Sequence, residues 1–262
     1  MVWILIAIGA ITIWAASLFK IFISSPCVPS NLSFLSKNGS TNKDGEKRNV
    51  LLVIAHPDDE SMFFAPTLLF LASQGHSLHV LCLSTGNAEG KGNVRKEELY
   101  RACATLKVPQ QQVKILDHPN LQDGFHHPWD RQLIATIVEE EIKSCNVDSL
   151  LTFDEFGVSG HPNHCDVHHG VCNLLKKSSQ TIEAWELVSN SILLKYTGPV
   201  AIWLSTCFRS CQGERVYSLI NGNPRKSYLA MAEHKSQWAW FRKLFVLFSS
   251  YTYMNTLQEI RV

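Results

Sequence analysis

The sequence has almost no charge excess. Its 24 Lys and Arg stand against 23 Asp and Glu, a formal net charge of +1, and a chain without a basic surplus is not built to be held by nucleic-acid phosphate. None of the eight cysteines (Cys27, Cys82, Cys103, Cys145, Cys165, Cys172, Cys207 and Cys211) forms a Cys-x-x-Cys pair. That excludes a structural zinc finger, and the scatter along 262 residues is no disulfide framework. They read as small buried hydrophobes of a reducing compartment. Also missing are a dinucleotide-binding glycine fingerprint, a P-loop and a Gly-x-Ser-x-Gly nucleophile elbow. The glycine-rich stretch Gly86–Gly92 fits none of these patterns and is expected to be a loop bordering the active site. There is no internal repeat and no low-complexity tract. What is plentiful is apolar residue, 45% of the chain, enough to bury a full core.

Residues Val2 to Phe19 carry no charge, and after Lys20 the apolar run resumes at Ile21 to Ile23. Such a stretch spans about 30 Å as a helix, the thickness of a bilayer's hydrocarbon core. A cleaved signal peptide would have a positive n-region and a shorter apolar run, so residues 2–23 are expected to form a single transmembrane anchor. Lys20, Lys37, Lys43, Lys47 and Arg48 follow it against only Asp44 and Glu46, which by the positive-inside rule places the body of the chain in the cytoplasm. Two sequons, at Asn31 and Asn38, pull weakly the other way. The Ser-, Asn-, Gly- and Lys-rich residues 24–47 read as a linker, leaving 48–262 as the folded domain.

From Asn49 short apolar runs alternate with longer helical ones. Strands are expected at Asn49–Ala55, Ser77–Ser84, Val113–Asp117 and Ser149–Phe153, with helices at Met62–Ser73, Val94–Leu106 and Trp129–Ser144 between them. Connections of that length are too long for hairpins, so the chain is α/β and Rossmann-like, a mostly parallel sheet with helices on both faces. Ligands in such folds bind beyond the carboxyl ends of the strands.

Two polar clusters fall there. His56-Pro57-Asp58-Asp59-Glu60 follows the first strand, and Gly160-His161-Pro162-Asn163-His164 comes seven residues after Phe153 ends the fourth. His56 with Asp59, and His161 with His164, each supply two ligand atoms three residues apart, together more than the three protein ligands a catalytic zinc needs. Asp58, a carboxylate beside such a cation, has the chemistry of a general base. Helix capping alone would also favour acids at 58 to 60. The second cluster at another strand end tips the reading to metal.

AHPDDE at 55–60 and GHPNH at 160–164 resemble the N-acetylglucosaminyl-phosphatidylinositol de-N-acetylases and their bacterial relatives that deacetylate mycothiol and bacillithiol precursors, the PIG-L/LmbE-like family. The resemblance runs from about Asn49 to Cys172. It implies that His56, Asp59 and His164 bind Zn2+ or another divalent metal, that Asp58 is the general base, and that His161 polarises the amide carbonyl and stabilises the oxyanion. It further implies that Arg95 contacts the sugar or phosphate-bearing part of the substrate and that Asp117 hydrogen-bonds sugar hydroxyls. The activity implied is removal of acetate from GlcNAc-phosphatidylinositol, the second step of glycosylphosphatidylinositol synthesis, by a catalytic domain at the cytoplasmic side of the endoplasmic reticulum membrane. A deacetylase of a soluble N-acetylglucosaminide is the alternative enzyme, and a silent glycolipid-binding scaffold the alternative of another class. Many bacterial members carry Asp where Asn163 stands, and a neutral amide there raises the His161 pKa less than a carboxylate would.

His168 and His169 are expected to be bystanders, and His126 and His127 to lie in a loop bordering the site. Near the C-terminus Trp238, Trp240, Phe241, Phe245, Phe248, Tyr251 and Tyr253 surround Arg242 and Lys243. That mixture suits a helix packed on the sheet, an interfacial membrane helix, or both at once.

Overall fold

The structure, a computed structural model, describes residues 2–23, 47–125, 128–177, 182–203 and 216–262. The expected linker apart from Lys47, both sequons, Cys27, Cys207, Cys211, His126 and His127 lie outside the described residues.

Among the described residues seven strands form one sheet: β1 Asn49–Ile54, β2 Ser77–Cys82, β3 Val113–Ile115, β4 Ser149–Phe153, β5 Glu183–Leu187, β6 Val216–Ile220 and β7 Met254–Glu259. Their order is β3-β2-β1-β4-β5-β7-β6. The first four run parallel, as the spacing predicts, and β5, which the spacing does not mark, extends them in parallel beside β4, while β7 pairs antiparallel with both β5 and β6, making the sheet mixed. Strand order reverses between β1 and β4, the switch point at which such sheets open a crevice.

The helices are α1 Val2–Ile23, α2 Ala65–Ser73, α3 Gly92–Thr105, α4 Arg131–Cys145, α5 Pro162–Lys177, α6 Pro224–Glu233 and α7 Trp240–Phe248, with shorter turns between them. The single helix expected over Met62–Ser73 is two: a four-residue turn at Asp59–Met62, then α2. Pro66 at the start of α2 supplies the reason, since proline fits a first helical turn and not an interior.

β1 is apolar throughout because both its faces are covered. Val50, Leu52 and Ile54 join Phe64, Leu68 and Leu71 around α2, together with Leu99 of α3 and Ala230 of α6. Leu51, Val53 and Ala55 face the other way, onto Ile134, Val138 and Ile142 of α4 and Val167 and Val171 of α5. Two cores on opposite faces hold the central strands rigid, and the polar clusters begin where those strands end. The five described cysteines are free: Cys82 and Cys103 are buried, and Cys145, Cys165 and Cys172 are partly so.

α1 is long and apolar enough to cross a membrane. Its residues 2–6 and 8–13 are exposed, whereas Trp14, Ser17, Leu18 and Ile21, one stripe at helical spacing, turn to the domain. Ile21 packs with Ile202 and Tyr253, Ser17 Oγ accepts a hydrogen bond from Trp203 Nε1 at 2.9 Å, and the Lys20 ammonium sits 3.7 Å above the Trp203 ring.

Candidate metal centre

The chain leaving β1 turns sharply. Asp59 Oδ2 accepts from the backbone amides of Ala55 and His56 (3.1 and 2.8 Å), which fixes the carboxylate and leaves Oδ1 free. Asp58 takes φ 123°, a region a non-glycine residue enters only under strain. The strain is held from behind: Asp58 N–H donates to Glu60 Oε2 (3.1 Å), while Glu60 Oε1 meets Ser61 Oγ at 2.5 Å and His234 Nε2 at 2.7 Å. Glu60 and His234 are both fully buried. The effect is to place the Asp58 carboxylate on the cavity wall next to Asp59.

The chain leaving β4 is bent by another buried acid. Asp154 accepts from the amides of Phe156 and Gly157 and from both the amide and hydroxyl of Ser189. This stabilises the turn Gly157–Gly160, in which even the β-branched Val158 has φ 67°, its amide donating to Ser189 Oγ and its carbonyl accepting from Lys195 Nζ. Gly157 must be glycine, because a Cβ there would stand 2.8 Å from that of His164. Its carbonyl lies 3.1 Å from His164 Nδ1, and accepting the Nδ1 proton turns Nε2 toward Asp59 Oδ1, 3.2 Å away.

The ligating atoms of His56, His161 and His164 lie within 4.8 Å of one another, and Asp59 Oδ2 is 3.8 Å from His56 Nδ1. The three expected ligands His56, Asp59 and His164 therefore converge, and His161, expected at the oxyanion, lies with them. Their donors suit a cation on two further grounds. His56 Nε2 is buried without a hydrogen bond, although Asp123 Oδ1 lies 3.1 Å from it. The lone pairs of His164 Nε2 and Asp59 Oδ1 also oppose each other, which needs either a proton or a metal between them. Burial works to raise the Asp59 pKa, but His164 and His56 outweigh it and hold the carboxyl below the usual range. Burial likewise works to lower His164, and Asp59 with the Gly157 carbonyl overcomes it and raises that ring. A divalent cation would take that proton's place.

Asp58 behaves differently from its neighbour: burial raises its pKa, Arg95 partly opposes, and Asp59 adds to the rise. His161 is pushed down to about 4, first by burial and then by His56 and His164, so its ring is neutral near pH 7. Asn163 does not set this. It is buried, and with its amide turned as its neighbours require, its nitrogen donates to the Gly124 carbonyl (2.8 Å) and its oxygen shares with the Gln122 carbonyl the Trp129 indole N–H.

These groups line a cavity of about 640 Å³. Arg95 is buried on its wall and donates to the carbonyls of Gly86 (2.8 Å) and Pro57 (2.6 Å), with Asp58 and Asp123 each 3.4 Å away. Its reach to Asp58 depends on Gly86, which has φ 65° and would, with a Cβ, stand 2.3 Å from Arg95 Nη1. Gly86→Ala is expected to displace the guanidinium and lower kcat/KM by about 10²-fold, the scale of a misplaced catalytic group, while the fold survives. Steady-state kinetics beside a thermal melt checks it, and unchanged kinetics would overturn it.

Asp117 is not brought to the site. It is exposed, 3.4 Å from Gln122 Nε2, and does not line the cavity. β3 is only three residues long at the sheet edge, and the chain must travel on to Asp123 before it returns to the centre. Asp123 is the carboxylate that does so, held low in pKa against its burial by His56 and Arg95. Its signal was the Asp-Gly turn before His126. Arg242 of α7 also arrives, its Nη2 3.5 Å from Asp58 Oδ2. His168 and His169 lie off the cavity, His168 Nδ1 being 3.1 Å from the Phe153 carbonyl. Ala88 and Glu89, of the glycine-rich loop, do line it.

Residues 51–175 match the family model described as PIG-L: GlcNAc-PI de-N-acetylase. A Dictyostelium discoideum protein named as a probable N-acetylglucosaminyl-phosphatidylinositol de-N-acetylase is 37% identical over 253 residues, covering 86% of this chain and 98% of its own length. The Bos taurus N-acetylglucosaminyl-phosphatidylinositol de-N-acetylase is 35% identical over 215 residues, covering 81% and 84%. Among solved structures, the N,N'-diacetylchitobiose deacetylase of Pyrococcus horikoshii shares the fold, with a TM-score of 0.59 at 13% identity over 82% of this chain and 84% of that one.

Proposed function

Because the chain belongs to the GlcNAc-PI de-N-acetylase family, we propose that it hydrolyses the N-acetyl group of GlcNAc-phosphatidylinositol to the free glucosamine glycolipid and acetate, the second step of glycosylphosphatidylinositol anchor synthesis. The observation that carries this reading is the convergence of His56, Asp59 and His164 on one cavity with Asp58 alongside. Those three residues would hold a divalent cation, zinc by the chemistry of a two-imidazole, one-carboxylate set. When bound, the cation supplies Lewis-acid polarisation of the acetamide carbonyl and lowers the pKa of water.

The protein's own groups do the rest. Asp58, its basicity raised by burial, takes a proton from the water whose oxygen attacks the carbonyl carbon. His161, a neutral ring on the cavity wall, donates an N–H to the oxygen that gains charge. As the C–N bond breaks, the proton held at Asp58 passes to the departing amine. Arg95 holds Asp58 in place through the Pro57 carbonyl and the carboxylate itself. To Asp123 and Arg242, both on the cavity wall, this reading gives the contacts to sugar hydroxyls and to an anionic phosphodiester, the role first expected of Asp117 and Arg95.

A glycolipid must be met at a bilayer, and α1 supports a single-pass anchor there. The cations that follow it favour a cytoplasmic domain, and the activity an endoplasmic reticulum membrane. The complete ligand and base set argues against a silent scaffold. Purified full-length protein is expected to release acetate from GlcNAc-phosphatidylinositol, to lose that activity to background on chelation, and to regain it with zinc. Activity indifferent to chelator would sink the metal assignment. No release from folded, metal-loaded protein would sink the substrate and point to a soluble N-acetylglucosaminide.

A further inference from the structure

The cavity that holds the candidate metal centre opens through an apolar collar. Phe125, Tyr196, Phe241, Leu244 and Phe248 line it and are all exposed. α7 continues this surface outside the cavity with Trp240 (72% exposed) and Leu247 (41%), and just before Tyr196 the chain exposes Ile192 and Leu193. A soluble surface rarely gathers so many large apolar side chains in one place. α7 also carries Arg242 and Lys243 and no acid, the composition of a helix lying in an anionic lipid interface.

The position of α1 says what covers this face. Gly198 lies between the two helices: a Cβ on it would be 3.1 Å from Trp14 Nε1 and 3.6 Å from the Phe248 carbonyl. Tyr253, which packs with Ile21 of α1, donates its hydroxyl proton to the Leu247 carbonyl at 2.8 Å. The C-terminal end of α7 is thus joined to α1 at Trp14–Ile21, inside the apolar helix and not beyond it. From Trp14 to Ile23 is about 14 Å of helix rise, and a bilayer core requires about 20 apolar residues. A helix that crosses with residues 2–23 therefore carries the end of α7 down to the interfacial layer.

We propose that the apolar face of α7 and the cavity collar are seated on the lipid bilayer, so that the active-site cavity opens at headgroup depth and receives its substrate laterally from the membrane. This rests on the reading of α1 as an anchor and of the substrate as a glycolipid, and the test separates the three.

Full-length protein carrying p-benzoylphenylalanine at Trp240 or Leu247, neither of which lines the cavity, is reconstituted into phosphatidylcholine–phosphatidylserine vesicles without substrate and irradiated. Glu139, exposed on α4, serves as the control position. Phospholipid adducts at least tenfold more abundant at 240 and 247 than at 139 are expected. Equal yields at all three, none at 240 and 247, or cross-links there to a second copy or to another protein would overturn the proposal. Failure to deacetylate GlcNAc-phosphatidylinositol alongside intact lipid adducts would instead reject the substrate alone. Loss of vesicle association would reject the anchor. In a second arm, Trp240→Glu with Leu247→Glu is expected to lower kcat/KM on vesicle-embedded substrate about tenfold and leave turnover of a water-soluble GlcNAc-inositol phosphate unchanged. Equal loss on both substrates would mark a structural role and overturn it.

Discussion

Asp58→Asn is expected to lower kcat by about 10³- to 10⁴-fold, the upper range for removal of a general base, and to leave metal content unchanged. Asparagine keeps the size of the side chain and the backbone amide that donates to Glu60 Oε2, so the strained turn at φ 123° survives. What it removes is the proton acceptor. It also removes the charge that Arg95 and Arg242 face at 3.4 and 3.5 Å, so KM for an anionic substrate is expected to fall or hold while kcat collapses. Asp59→Asn provides the contrast. That carboxylate faces His164 Nε2 and lies beside His56, and its loss is expected to empty the metal site, with activity lost through metal content. The two neighbours thus separate base from ligand by metal analysis on the same purified proteins. A kcat for Asp58→Asn within tenfold of the parent would overturn the base assignment.

The centre of the fold was legible because it depends on local patterns. NVLLVI reads as a strand covered on both faces, and the AHPDDE that follows it, paired with a second polar cluster after β4, favours a ligand there over helix capping alone. The HxxH cluster after β4 was legible for the same reason. β5, β6 and β7 were not: EAWEL, VYSLI and MNTLQE are short runs without a long apolar stretch, and β7 is selected by antiparallel pairing with β5, a contact no local spacing encodes. The site follows the same division. His56, Asp58, Asp59, His161 and His164 sit within two short motifs, whereas Arg242 reaches Asp58 from a helix more than 180 residues later in the sequence. Asp117 falls outside the cavity because the expected third strand, ending at Asp117, is in fact three residues long and ends at Ile115. The carboxylate needed at the site then comes from the loop beyond it. The C-terminal aromatics were legible as a mixture and not as a geometry: Tyr251 is buried in the core while Trp240 is exposed, and only packing distinguishes them.

His234→Gln is expected to be the most destabilising single change that touches neither metal nor substrate. His234 comes from the end of α6 and meets Glu60 where both side chains have no solvent contact. Burial works to lower the His234 pKa, but the charge and hydrogen bond of Glu60 overcome it, with Asp58 and Glu98 adding to the rise. Glutamine leaves the Glu60 carboxylate buried without its cation, and breaking such a pair costs about 3–5 kcal/mol. At about 2–4 °C per kcal/mol for a domain of this size, the melting temperature falls by roughly 10 °C. The pH dependence gives the sign. Because the folded state holds the His234 proton more tightly than the unfolded chain, whose histidine titrates near 6.5, the pair's stabilisation is complete below about pH 6.5 and is lost as pH rises through the folded value. In the variant that loss with rising pH disappears. Since Glu60 also accepts the Asp58 amide, the catalytic turn loosens along with the core, and kcat is expected to drop while metal content holds. Melts of parent and variant between pH 5 and 9 decide the matter: curves that stay parallel across that range would mean the pair carries no charge, and that Glu60 holds Asp58 by shape alone.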